Sequence, residues 1–133
     1  MDDKIDNIES VVKHWYDSSE KDFITMQNLL NTKDFSWALF LGHLVLEKLL
    51  KAIYVKNKEK HAIFTHDLLR IARKIDLQLP DEYEEWLDEI TTFNLNARYD
   101  NYKQSFYKLC TSKFTEDWIK KIKEIRKWLI NQL

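Results

Sequence analysis

Glycine, proline and cysteine each occur once in this chain of 133 residues, at Gly42, Pro80 and Cys110. Glycine supplies the positive φ of tight hairpins and lets backbone amides close around a phosphate. Its scarcity therefore sets aside phosphate-loop, dinucleotide-fold and multi-hairpin β architectures. A lone cysteine forms neither an intramolecular disulfide nor a thiolate zinc site, and it fits a reducing, cytoplasmic compartment. No apolar stretch approaches the ~20 residues of a membrane-spanning helix; the longest runs only from Trp37 to Leu46. The acidic start, Met1 to Ser10, lacks the basic-then-apolar pattern of a secretory signal. The expectation is a protein neither exported nor inserted. A surplus of one charge is missing as well, since 21 Lys+Arg stand against 22 Asp+Glu, so no general attraction to nucleic acid or membrane follows from net charge.

What is abundant is apolar residues at helical spacing, 44% of the chain being hydrophobic. The length suits one domain over residues 1–133, with a core large enough to need no disulfide or structural metal. The spacing predicts an all-α protein, an antiparallel up-and-down bundle of four long helices plus one short one. The first spans about Asp6 to Leu30, with Ile8, Val11, Val12, Trp15, Ser19, Phe23, Met26 and Leu30 on one stripe. The second, about Phe35 to Lys56, is expected to start on an Asp34 cap and is apolar almost all round until Leu46, as befits a helix covered on several sides. Lys56 to His61 reads as a solvated connection, and a short helix is expected from a Thr65 cap. Asp81 with Glu84 has the spacing of a capping box for a fourth helix to about Leu95. Asn96 to Ser112 reads as a polar, tyrosine-rich connection, after which Thr115 opens the last helix with Trp118, Ile122, Ile125 and Leu129 inward. Charge is uneven along this plan: Asp81 to Ile90 carries six acids and no base, and Lys48 to Lys74 carries eight bases against Glu59 and Asp67.

Three groups of residues could carry chemistry. His43, Glu47 and Lys51 lie four apart, on one line of an otherwise apolar helix, either as a plain ion pair at a helix groove or as the polar wall of a cleft. No Glu-x-x-His or His-Glu-x-x-His occurs, so no metal site and no cofactor is expected. Thr65-His66-Asp67-Leu68 stands at a helix start, where capping accounts for Thr65 and Asp67, and His66 is either packed or a group able to titrate near neutral pH. In Asn96 to Lys103, Arg98 offers a planar fork to phosphate and Lys103 a point charge. Tyr99, Tyr102 and Tyr107 offer ring faces for a base. That set suits a nucleotide or single-stranded RNA; the plain alternative is an Arg98 ion pair among gap-filling tyrosines.

These segments also carry a resemblance. Trp15, Ser19 and Asp22, then Trp37-Ala38-Leu39-Phe40 through His43, then Glu47-Lys48-Leu49-Leu50-Lys51-Ala52, Thr65-His66-Asp67-Leu68 and Ala97-Arg98-Tyr99, come in the order usual in HEPN domains, and the likeness spans nearly the whole chain. The resemblance implies a helical bundle that dimerises, with a groove for nucleotide or RNA, often working beside a minimal nucleotidyltransferase as a toxin–antitoxin pair. Active relatives are metal-independent ribonucleases in which four to six residues separate the arginine from a following histidine. Arg98 matches that arginine, but Lys103, Gln104 and Ser105 stand where the histidine belongs. A lysine with an ordinary pKa of ~10.4 stays protonated and is no base at neutral pH, although it can still stabilise a phosphate. The expectation is a non-catalytic homodimer that binds nucleotide, RNA or a nucleotidyltransferase. The alternatives are a divergent ribonuclease using Arg98, Lys103 and His66, and a purely structural interaction module.

Overall fold

The computed structural model describes Ile5 and residues 7–133; Asp6, where the first helix is expected to begin, lies outside them, as do residues 1–4 of the acidic start. Six helices are present among the described residues: α1 Ile8–Asn31, α2 Phe35–Lys58, α3 Leu68–Lys74, α4 Asp81–Arg98, α5 Asp100–Leu109 and α6 Ser112–Ile130. The all-α expectation holds, with one helix more than the sequence suggests.

The ends of these helices show local chemistry at work. Asn7 caps α1, its side chain accepting from the Ser10 amide at 3.0 Å. The far end closes through two reversed bonds, Lys33 N to Leu30 O at 3.1 Å and Asp34 N to Leu29 O at 2.8 Å, the Schellman pattern. That pattern needs a left-handed residue, and here it is Lys33 at φ 62°. Asp76 at φ 54° does the same after α3, and Glu59 at φ 55° ends α2. With a single glycine in the chain, positive φ falls on three ordinary residues, at a steric cost of about 1–2 kcal/mol each. Asp34 holds the N-cap position of α2 as expected, its carbonyl accepting from the Ala38 amide at 2.9 Å, but its carboxylate accepts from the Thr32 hydroxyl at 2.6 Å and makes no capping bond.

Other boundaries move for tertiary reasons. Helix three begins at Leu68 rather than near Thr65, because the His66 carbonyl accepts from His43 and the Leu68 amide donates to Thr91 Oγ1 at 3.1 Å. Asp67 is the cap, accepting from the Arg70 amide at 3.2 Å. Pro80 is the capping position of α4, and Asp81 makes no capping-box bond; its charge, with Glu82 and Glu84, still suits the helix N-terminus. The expected connection from Asn96 to Ser112 is mostly helix. Tyr99, extended at φ −92° and ψ 133°, is the single joint between α4 and α5, and Phe106 anchors α5 with its ring centroid 5.4 Å from that of Phe93. Thr111, not Thr115, caps α6, accepting from the Phe114 amide at 3.2 Å, and Thr115 is buried within the helix.

Helix α2 is the axis of the molecule, packed against α1, α3, α4, α5 and α6. Leu39, Leu46, Leu49, Leu50 and Ile53 along it are fully buried, each worth about 1.5–3 kcal/mol in transfer from water. Helix α1 packs along α2 as the other arm of a hairpin, and its expected stripe is covered on one side only: Ser19 and Met26 are buried, the rest partly so. Ser19 is inward because its hydroxyl donates to the Val45 carbonyl at 2.8 Å. Among the described residues, no helix is long and apolar enough to cross a membrane.

Candidate functional site

Along one line of α2 stand Trp37, Phe40, His43, Glu47 and Lys51, each three or four residues from the next, hence on neighbouring turns. The first two are aromatic and the last three polar and buried. The surrounding elements bring partners to each.

Glu47, 4% exposed, is the centre of the polar half. Its Oε2 accepts from Lys51 Nζ at 3.1 Å, and its Oε1 accepts from His66 Nδ1 at 2.8 Å. A buried carboxylate without partners is costly; two donors settle this one. The Lys51 ammonium also sits 5.4 Å from the Trp15 ring centroid, a contact that compensates for lost hydration.

The same bonds set both histidine tautomers. A carboxylate only accepts, so His66 carries hydrogen on Nδ1 and presents Nε2, the side chain being 52% exposed. A carbonyl only accepts, so His43 carries hydrogen on Nε2, which donates to the His66 carbonyl at 2.8 Å. His43 Nδ1 is then a buried lone pair with no hydrogen-bond partner among the described residues. Burial pushes the His43 pKa below its ordinary 6.5, with the electrostatic influence of His66 and Arg98 acting in the same direction against the His66 carbonyl and Glu47. A neutral His43 makes its 3.9 Å approach to Glu47 Oε1 no ion pair.

Arg98 therefore faces the His43 end of this line. It sits on the last turn of α4, with Nε donating to the Asn94 carbonyl at 3.0 Å. Its guanidinium lies 5.6 Å from the Phe40 ring centroid and 5.5 Å from that of Tyr99. One turn into α5, Lys103 places Nζ 5.7 Å from the Trp37 ring centroid. Arg98, Tyr99 and Lys103 thus converge on the aromatic half of the α2 line, and His66 joins its polar half. Tyr102 does not converge with them: with Asn96, Ser105, Phe106 and Leu109 it lines a shallow groove of about 160 Å³ between α4 and α5. Tyr107 is 71% exposed. Trp37 and Phe40, the ring platforms under the two cations, are absent from the sequence-derived candidates. The signal for them is register, one and two turns ahead of His43 and Glu47 on the same face.

The arrangement can hold a phosphate between Arg98 and Lys103, stack a base on Trp37, Tyr99 or Phe40, and present an oriented imidazole at His66. No group of three or more His, Cys, Asp or Glu side chains that could hold a metal ion occurs among the described residues.

The HEPN domain family model matches residues 12–133. The chain belongs to the HEPN domain family. Among solved structures, the crystal structure of TT1696 from Thermus thermophilus matches this HEPN domain with a TM-score of 0.79, over 92% of this chain and 98% of that one. At 16% identity that likeness establishes the fold. No curated protein matches the chain. Within this HEPN domain the residues that carried the resemblance are not scattered: Trp37, Phe40, His43, Glu47, Lys51, His66 and Arg98 meet along one side of α2.

Proposed function

We propose that this HEPN domain binds a nucleotide or single-stranded RNA, without cleaving it, on the face where Arg98 and Lys103 lie against the rings of Phe40, Tyr99 and Trp37. The observation that carries the reading is the pairing of two cations with solvent-facing rings: Trp37 is 40% exposed and Tyr99 52%, with Arg98 and Lys103 against them. Cations supply affinity for phosphate and rings supply stacking, the combination that single-stranded nucleic acid needs. The proposal extends to a homodimer and to a nucleotidyltransferase partner, as the resemblance implies; sedimentation of the purified chain, alone and with such an enzyme, tests both.

The test is incubation of end-labelled single-stranded RNA with the protein in EDTA, beside Arg98→Ala. The Arg98 hydrogen bond stays within its own helix, so its removal should leave the melting temperature in place and weaken binding by about 1.5–3 kcal/mol, the worth of a charge-assisted hydrogen bond. Unshifted RNA with the wild-type protein sinks the proposal.

A second reading, ribonuclease action with Arg98, Lys103 and His66, is favoured by one observation. Glu47 fixes His66 with Nε2 outward, the orientation a general base requires. Cleavage to 2',3'-cyclic phosphate ends in EDTA, lost in both Arg98→Ala and His66→Ala, would establish this reading over the first.

A further inference from the structure

Where the turn between α1 and α2 meets α6, a cleft of about 460 Å³ opens. Leu30, Phe35 and Ile119 form its apolar side, and Lys33, Lys120 and Lys123 line it as well. The apolar side belongs to the core: Ile119 is buried, and Leu30 and Phe35 are half-buried against it.

The three ammonium groups are uncompensated. On the same helix Lys113 pairs with Asp117, one turn on, at 3.0 Å. Glu116, one turn before Lys120, instead accepts from the Ser112 hydroxyl at 3.3 Å. No carboxylate among the described residues lies within ion-pair distance of Lys33, Lys120 or Lys123. Lys120 and Lys123 are three apart on one helix face, where like charges repel, and the turn adds Lys33 to the same cleft. With Glu116 as the only lining carboxylate, the cleft carries a net charge of +2.

Lys33 also stands where the backbone favours another residue. It holds the left-handed position after α1 at φ 62°, which glycine or asparagine adopts at less steric cost. The turn itself uses only its amide, which donates to the Leu30 carbonyl at 3.1 Å as a glycine amide would. A cation beside a helix C-terminus is favourable, which accounts for Lys33 in part but not for Lys120 and Lys123, in the middle of α6.

We infer that this cleft binds a small amphipathic anion, its carboxylate, sulfonate or phosphate head held by Lys33, Lys120 and Lys123 and its apolar body lying on Leu30, Phe35 and Ile119. Neither half suffices alone. An inorganic anion leaves the apolar side in water, and a neutral apolar molecule leaves the ammonium groups uncompensated. The volume falls in the range of roughly 300–1,000 Å³ usual for small-ligand clefts. The apolar residues line a recess and do not project from the surface, so a single molecule in solution fits the cleft and a bilayer does not.

The test is a heteronuclear NMR titration with octanoate, beside octanol and inorganic phosphate, for the wild type, Lys120→Ala/Lys123→Ala, Lys33→Gly and Arg98→Ala. All three lysines are exposed, and melting curves verify that the variants fold. Octanoate should move the amide signals of Leu30 to Phe35 and of Ser112 to Lys123, and the two control ligands should move them far less. The lysine double variant should weaken octanoate binding about fivefold, since an exposed ion pair is worth roughly two- to threefold. Lys33→Gly should weaken it about twofold while holding or raising the melting temperature, a combination that a merely structural lysine would not give. Arg98 does not line this cleft, so Arg98→Ala should leave octanoate binding unchanged. Unmoved signals, or affinity unchanged in the lysine variants, overturn the proposal. An equal response to octanol or to phosphate also overturns it, by showing that one half of the cleft acts without the other. Sedimentation with phosphatidylglycerol vesicles, without any response to octanoate, overturns it in favour of a lipid surface.

Discussion

At the scale of single residues, His43 combines full burial with an unpartnered Nδ1. Adding a proton there places a charge out of reach of water, which His66 and Arg98 oppose and Glu47 favours. Because the folded pKa lies below the ordinary 6.5, the unfolded chain takes up this proton first as pH falls. Stability from this group is therefore intact above about 6.5 and lost as pH drops below it, at no more than about 1.4 kcal/mol per pH unit for one proton. His43→Gln keeps a donor near the Nε2 position without a titrating group. It should shrink the difference in urea midpoint between about pH 7.5 and about pH 5.5; an unchanged difference would locate the acid sensitivity elsewhere. Lys51 offers a second check. It is 7% exposed, and Glu47 beneath it 4%, so Lys51→Ala should cost about 3 kcal/mol by chemical denaturation. That is the low end for a broken buried pair, because His66 still donates to the same carboxylate. A loss under about 1 kcal/mol would mean water reaches Glu47 freely.

At the scale of elements, the crossing of α2 and α6 turns on Gly42. A Cβ built there meets Ile122 Cδ1 at 2.6 Å and Met26 Sδ at 3.4 Å, and Ile122 is fully buried. Alanine is worth about 1 kcal/mol more than glycine in a helix interior, yet overpacking costs about 1–3 kcal/mol. Gly42→Ala should therefore destabilise by roughly 1 kcal/mol net, and adding Ile122→Val, which removes the clashing methyl, should recover the loss. A stabilised single variant would show that Ile122 rotates away cheaply. The same scale explains why α5 is hard to read. Its inward residues reduce to Phe106, with Cys110 just past its end. The other members of its stripe, Tyr99 and Tyr102, are half-exposed rings equally at home in a loop. No glycine or proline marks the break from α4, because one extended residue makes it. For α3, the helix-start chemistry is visible in Thr65 to Asp67, but the start itself slides to Leu68 because His43 and Thr91 claim the preceding backbone groups.

At the scale of the whole molecule, the net charge of −1 conceals a division of labour. The acids of α4 crowd its first half, where Asp88 lines a cleft with Arg70 and Arg73, while Arg98 and Lys103 stand at and beyond its far end against Phe40 and Trp37. Binding of single-stranded RNA should accordingly weaken with salt despite the acidic total. Single strands lose about 0.7 in log–log slope per phosphate contacted, so Arg98 and Lys103 predict a slope of about −1.4. Arg98→Ala should flatten it by about 0.7. A slope near zero would mean that stacking alone holds the strand.

Spacing within single helices was enough to settle the all-α class, the burial of α2, and the placement of His43, Glu47 and Lys51 on a shared line, since 3.6 residues per turn decides which side chains are neighbours. Composition likewise excluded glycine-dependent folds, although Lys33, Glu59 and Asp76 show that three left-handed turns could be made without glycine. Tertiary packing alone chose the remote residues that complete that line. His66, nineteen residues from Glu47, reaches the carboxylate because α3 is pinned to α4. Arg98 comes to Phe40 because α4 lies on α2, and Tyr102 lines the groove between α4 and α5 because extended Tyr99 breaks the helix between them. Such approaches depend on how whole helices pack, and helix periodicity, being a property of one segment at a time, carries no information about them.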